Sequence, residues 1–205
     1  RLRQLGRAGV DVIIGDSTNA PVAGASRSEA VVCEGLLDAV RECKQRVVVT
    51  CFASNLARLH ALAEISRDTD RYAALLGRSL LRMQGVARQS DYLSTTDSFI
   101  GPWELGFLPR SQQLWICTGS QGEPAAALGR VASGRHPQLV LERGDTVIFS
   151  SRLIPGNEES LARIRADLSA KGIGIIDDDM APVHASGHPP QEDLRQLYGW
   201  LNARY

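Results

Sequence analysis

Short uninterrupted apolar runs alternate along this chain with longer stretches whose apolar residues recur every three or four positions. Val10–Gly15, Arg46–Cys51, Tyr72–Leu76, Leu114–Thr118, Asp145–Ser150 and Ile173–Ile176 read as six strands. Ser28–Cys43, Ser54 to Ile65, a segment opening at Gly77-Arg78-Ser79, Glu123–Ala132, Asn157–Lys171 and Gln191–Asn202 read as helices. In the first of these, Val31, Val32, Leu36, Leu37 and Val40 share one face. Pro124 suits a first helical turn, and Gly172 suits the position just past a helix end. From Gly85 to Gln113 no period is clear, and Gly101-Pro102 marks a turn. Strands apolar on both sides that alternate with helices belong to a parallel sheet covered on both faces. The expected fold is α/β, a single doubly wound, mainly parallel sheet forming one domain over residues 1–205.

Composition narrows the function classes. A chain of 205 residues buries roughly 70% of its unfolded surface, so it needs no disulfide or metal to fold. Lys plus Arg and Asp plus Glu number 23 each, so any contact with a polyanion must be made locally. Arg far outnumbers Lys, which favours bidentate contacts to phosphate or carboxylate. Cys33, Cys43, Cys51 and Cys117 show no CxxC spacing. Cys51 and Cys117 fall in apolar runs and are expected to be buried free thiols of a reducing compartment. With no signal peptide, transit peptide or 18-residue apolar run, a soluble cytoplasmic protein without membrane contact is expected. The chain opens at Arg1 rather than Met, and is expected to be a piece of something longer.

Chemistry concentrates where the strands end. The segments there are Gly15-Asp16-Ser17-Thr18-Asn19, Phe52-Ala53-Ser54-Asn55, Gly77-Arg78-Ser79, Thr118-Gly119-Ser120-Gln121 and Ser150-Ser151-Arg152. In open α/β sheets ligands bind outside the carboxyl ends of the strands, and free N–H groups at helix starts bind phosphate. Ser54 and Asn55 serve equally well as helix caps. Asp16 is the one carboxylate at such a place, suited to acid–base work or to an Asx turn. Arg78 and Arg152 suit a phosphate clamp or a surface ion pair.

After the last run comes His184-Ala185-Ser186-Gly187-His188. Ser and Gly let the backbone approach a ligand closely, and the imidazoles change charge near neutral pH. An oxyanion such as phosphate fits this set, a metal ion competes with it, and a hydrogen-bonded His pair in a turn would explain it without any ligand. His60 on a helix and His136 in a loop are expected to be surface or packing residues. Phe52 is a candidate for base stacking, whereas Trp103, Trp115 and Trp200 are expected in the core or an interface.

These blocks together resemble the β-CASP domain of ribonuclease J. The resemblance runs through Gly15–Ala20 with Ser26-Arg27-Ser28-Glu29, Thr50–Asn55 with Arg58, Gly77-Arg78-Ser79, and Cys117–Pro124. It continues through Gly144–Ser151, Ile154–Glu158 and His184–His188, in the family's order and over almost the whole chain. It implies a β-CASP domain that partners a metallo-β-lactamase domain of the same parent chain. It further implies a zinc-dependent exoribonuclease and endoribonuclease that recognises RNA with a 5′ monophosphate, and a homo-oligomeric parent. Two zinc ions in the full-length enzyme would stabilise the attacking and leaving oxygens. By motif, Asp16 and His188 correspond to the catalytic signature residues. Ala53, Ser54, Asn55, His184, Ala185, Ser186, Gly187 and His188 correspond to the substrate-binding positions. The HxHxDH motif and a downstream His-Gly-Glu are absent from these residues; the fragment alone is expected to bind no zinc and to be inactive. A free-standing phosphosugar- or nucleotide-binding module, and a structural domain using Asp91–Gln113 as an interface, are the alternatives.

Overall fold

The computed structural model describes residues 1–90 and 99–205. Their contacts form two compact units, one of residues Glu29–His184 and one that combines Arg1–Ser28 with Ala185–Tyr205.

The larger unit is built on a five-stranded, wholly parallel sheet in the order β2-β3-β1-β4-β5. The strands are β1 (Val47–Thr50), β2 (Tyr72–Leu76), β3 (Gln113–Cys117), β4 (Thr146–Phe149) and β5 (Gly174–Ile176). Every residue of β1 and β3 is buried, which is why these strands read as unbroken apolar runs. The helices of this unit are α2 (Glu29–Glu42), α3 (Leu56–Asp68), α4 (Arg78–Gln89), α5 (Pro102–Gly106), α6 (Ala127–Ala132) and α7 (Glu158–Ala170). Val48, Trp115, Cys117, Val147 and Phe149 pack with Leu128, Val131, Leu161, Ile164 and Leu168 of α6 and α7. Alternate residues such as Val47, Val49, Leu114 and Ile116 are equally buried and project to the opposite face, where α2 packs on α3. The sheet is therefore doubly wound. β1 is followed by a helix on one face and its neighbour β3 by a helix on the other, so their carboxyl ends form a topological switch point.

The amino ends of the strands are tied by a buried polar network. Asp145 accepts from Arg46 (3.2 Å) and Arg110 (2.6 Å). Gln113 accepts from Arg46 Nε (2.7 Å) and Trp115 Nε1 (2.9 Å).

The smaller unit holds α1 (Leu2–Ala8) and α8 (Gln191–Leu201). Gly6 lies so close to Trp200 that an added Cβ would meet its carbonyl oxygen at 2.0 Å, and the Arg3 guanidinium stands over the Trp200 ring.

Two sequence expectations need correction. Val10–Gly15 is not a strand: Ile14 is 97% exposed, and the segment exchanges only a few backbone hydrogen bonds with Arg204 and Tyr205. The helix expected from Glu123 starts at Ala127, because the amides of Ala127 and Leu128 donate instead to the Thr118 hydroxyl and carbonyl. Of the two places expected for Trp103, core or interface, its 66% exposure excludes the core. Of the suggested interface Asp91–Gln113, residues 91–98 lie outside the described residues, while Gly101-Pro102 opens α5. The expected thiols are free, with Cys51 and Cys117 buried and each pushed up to about 12 by that burial.

Candidate functional site

In the smaller unit, two segments far apart in sequence meet through side-chain hydrogen bonds. Asp16 Oδ1 accepts from the Thr18 amide at 2.8 Å, an Asx turn that fixes the loop. Its other oxygen contacts His188 Nδ1. The Thr18 amide, followed by His188, holds the Asp16 carboxyl down at about 2. A carboxylate can only accept, so the bridging proton sits on His188 Nδ1. Nε2 of the neutral ring is then a proton acceptor. This is the arrangement by which a carboxylate fixes a catalytic imidazole's tautomer and orientation. The His188 side chain is 54% exposed.

Ser186 is the second element of this cluster. Its Oγ accepts from Asn19 Nδ2 at 3.1 Å and from the His188 amide at 3.2 Å. Both lone pairs are thereby engaged, and the hydroxyl proton is left to be donated. Asn19 also donates to the His188 carbonyl at 3.0 Å, clamping the Ser186–His188 turn to the Asp16 loop. Sequence reading had Asn19 only as part of a motif. Its position in the same loop as Asp16 was the available signal.

The remaining predicted residues divide between the units. Ala185 and Gly187 belong to the smaller unit with Ser186. Ala53, Ser54, Asn55 and His184 belong to the sheet unit. There Asn55 acts as a cap, its side chain accepting from the Arg58 amide at 2.9 Å. Ser54 is exposed, whereas Ser120, Ser150 and Ser151 at the other strand ends are buried. Phe52 is 37% exposed at the end of β1. The His184 amide donates to Asp178 at 3.1 Å. Burial first, and then the charge of Arg58, push its ring below the usual imidazole value.

Arg58 holds the floor beneath these loops. It is fully buried and donates to the Val183 carbonyl (2.9 Å), the Glu29 carboxylate (3.0 Å) and the Ser150 hydroxyl. Ser150 itself donates to the Val183 carbonyl at 2.8 Å. One guanidinium thus ties the start of α3, the end of β4 and the backbone just before His184 within this unit.

Among the described residues no group of three or more His, Cys, Asp or Glu is arranged to hold an ion. Asp16 and His188 bind each other, and His60 faces Glu64.

The family model for the "Ribonuclease J, beta-CASP domain" matches residues 44–168. The chain belongs to that family. It is 41% identical, over 98% of its length, to Ribonuclease J of Sinorhizobium meliloti and covers 36% of that protein. It is 39% identical to Ribonuclease J of Mycolicibacterium smegmatis over 99% of its length, covering 37% of that relative. With Ribonuclease J 1 of Streptococcus pyogenes it shares 37% identity over its whole length, again covering 37%. The chain therefore spans little more than a third of these relatives. The family match covers β1 to β4, while β5, Asp16 and His188 fall outside it and inside the longer alignments. Among the described residues, no helix is long and apolar enough to cross a membrane.

Proposed function

We propose that this chain is the RNA-binding β-CASP part of a ribonuclease J-like enzyme that acts from 5′-monophosphorylated ends and also cuts internally. The observation that carries this reading is the Ser186–His188 cluster. It combines a hydroxyl whose only uncommitted group is its proton with an accessible imidazole that Asp16 holds in one tautomer. Ser186 donates to a phosphate oxygen. His188 Nε2 accepts a proton from the attacking water, or, once protonated, donates to the leaving oxygen or the phosphate. Asp16 keeps the ring oriented and stabilises the imidazolium. Ala185 and Gly187 leave room for the ligand beside the backbone, as small residues do.

In the sheet unit, Ser54 and Ala53 at the end of β1 are assigned contacts to the nucleotide, with Asn55 and His184 supporting them. In this reading the zinc ions of the full-length enzyme are held by residues other than those described. The parent pairs this chain with a metallo-β-lactamase domain and forms a homo-oligomer. The named relatives are ribonucleases that align with nearly all of this chain, which favours a nuclease over a phosphosugar module.

The test is degradation of 5′-phosphorylated and 5′-hydroxyl RNA by the full-length protein. His188→Ala is expected to slow cleavage by about 100-fold or more, the usual scale for a lost acid–base group. Unchanged cleavage by His188→Ala would remove the residue from the mechanism.

A further inference from the structure

The sheet unit carries a second feature that the Ser186–His188 cluster does not use. A cleft of about 920 Å³ opens at the carboxyl ends of β2 and β3, between α4 and α6. Gly77 and Thr118 lie at its base. Gly77 has φ of +120°, and an added Cβ would come within 2.7 Å of the Thr118 hydroxyl. One wall is the first turns of α4, where Arg78 and Arg82 are four residues apart and share a helix face. The opposite side carries Arg130 of α6 and the turn at His136.

All three arginines are exposed. Among the described residues none of them makes a side-chain hydrogen bond or ion pair. The arginines paired elsewhere in the chain differ from them in this. Arg46 and Arg110 bind Asp145, Arg58 binds Glu29, Arg163 binds Glu159 and Arg165 binds Asp177. The one carboxylate lining the cleft, Glu123, already accepts from the Gln121 amide. His136 is 8% exposed, and its Nδ1 accepts from the Gln138 amide at 3.3 Å. The ring proton of neutral His136 therefore sits on Nε2, adding a donor to the cationic lining. In a chain of zero net charge, this is a local excess of positive groups around an open space far larger than one phosphate needs. The apolar lining from Leu81, Pro102, Ala125 and Pro137 suits the faces of bases, which also stack on guanidinium planes.

We propose that this cleft binds internal phosphodiesters of single-stranded RNA through Arg78, Arg82 and Arg130, independently of the state of the 5′ end. The choice of RNA rests on the functional reading above; the choice of a polyanion rests on the cleft itself. Its contribution is electrostatic, holding the strand rather than reacting with it.

The experiment measures binding of a short 5′-hydroxyl RNA to the full-length protein by fluorescence anisotropy over a range of KCl concentrations. Each lost phosphate contact lowers the slope of log affinity against log salt by about 0.7 for a single strand. The triple variant Arg78→Ala/Arg82→Ala/Arg130→Ala is expected to flatten that slope by about 2 and to bind at least ~10-fold more weakly at low salt. Replacement of the same three residues by Lys is expected to keep the slope. Arg82→Ala alone, on an exposed helix face, is expected to flatten it by about 0.7, which decides the matter if the triple variant fails to fold. An unchanged slope and affinity in a folded alanine variant would overturn the proposal. So would full displacement of the RNA by inorganic phosphate at constant ionic strength, which would mark a single-anion site. Wild-type protein that ignores the 5′ phosphate would defeat the 5′-end reading and leave this measurement intact.

Discussion

Asp16 does two things with one carboxylate: it closes its own loop through Thr18, and it fixes the ring of His188. Its depressed value has a consequence for stability. The ordinary carboxyl of the unfolded chain titrates at 3.8, and the folded one at about 2. Between those values the unfolded state binds more protons, so stability rises with pH there. The contribution is present in full above about pH 4 and disappears as pH falls through 2. Asp16→Asn should therefore be less stable than wild type at neutral pH. The gap between their denaturation midpoints should close between pH 4 and pH 2. A gap that stays constant over this window would mean that the Asp16 charge is not what stabilises the loop. The residues of this cluster were legible as motifs, but their pairing was not. Asn19 and Ser186 are 167 positions apart, and Asp16 and His188 are 172 apart. No periodicity or spacing encodes such a contact. Arg58 was hidden for a different reason. Arginine is almost never fully buried unless paired, and the carbonyl and hydroxyl that pair it here come from β4 and the chain before His184.

The elements were the most readable level, because a parallel sheet buried on both faces needs continuous apolar strands. β2 matches its predicted run, β1, β4 and β5 fall within theirs trimmed by one or two residues, and β3 is shifted by one residue to Gln113–Cys117. The same signal misled at Val10–Gly15, since an apolar β-branched run looks alike whether or not a sheet receives it. α1 escaped notice because it is short, with a glycine inside it. Helix starts shifted where a loop captured the first amides, as Thr118 does for α6. What aligns the strands at their amino ends is polar, and that too is invisible to a hydrophobic pattern. Asp145 is fully buried between Arg46 and Arg110. Asp145→Ala leaves a buried guanidinium without its counter-charge, a change that costs about 3 kcal/mol or more. A urea titration should show a correspondingly lower midpoint. An unchanged midpoint would mean that the sheet does not depend on this network.

At the scale of the molecule, zero net charge conceals an uneven distribution. Arg46, Arg58 and Arg110 are committed to buried pairs, whereas the arginines lining the cleft between α4 and α6 are not. Membership in the ribonuclease J β-CASP family accounts for the architecture of the sheet unit. In the proposed function, the smaller unit offers a serine proton and an oriented imidazole to a phosphate. The most direct measurement is the ratio of dissociation constants for 5′-hydroxyl and 5′-phosphorylated RNA, compared between the full-length protein and its Ser186→Ala variant. A hydrogen bond to a charged group is worth about 1.5–3 kcal/mol, so the variant should lose at least ~10-fold of the preference for the phosphate. Equal ratios in the two proteins would contradict the assignment of Ser186 as the phosphate's donor.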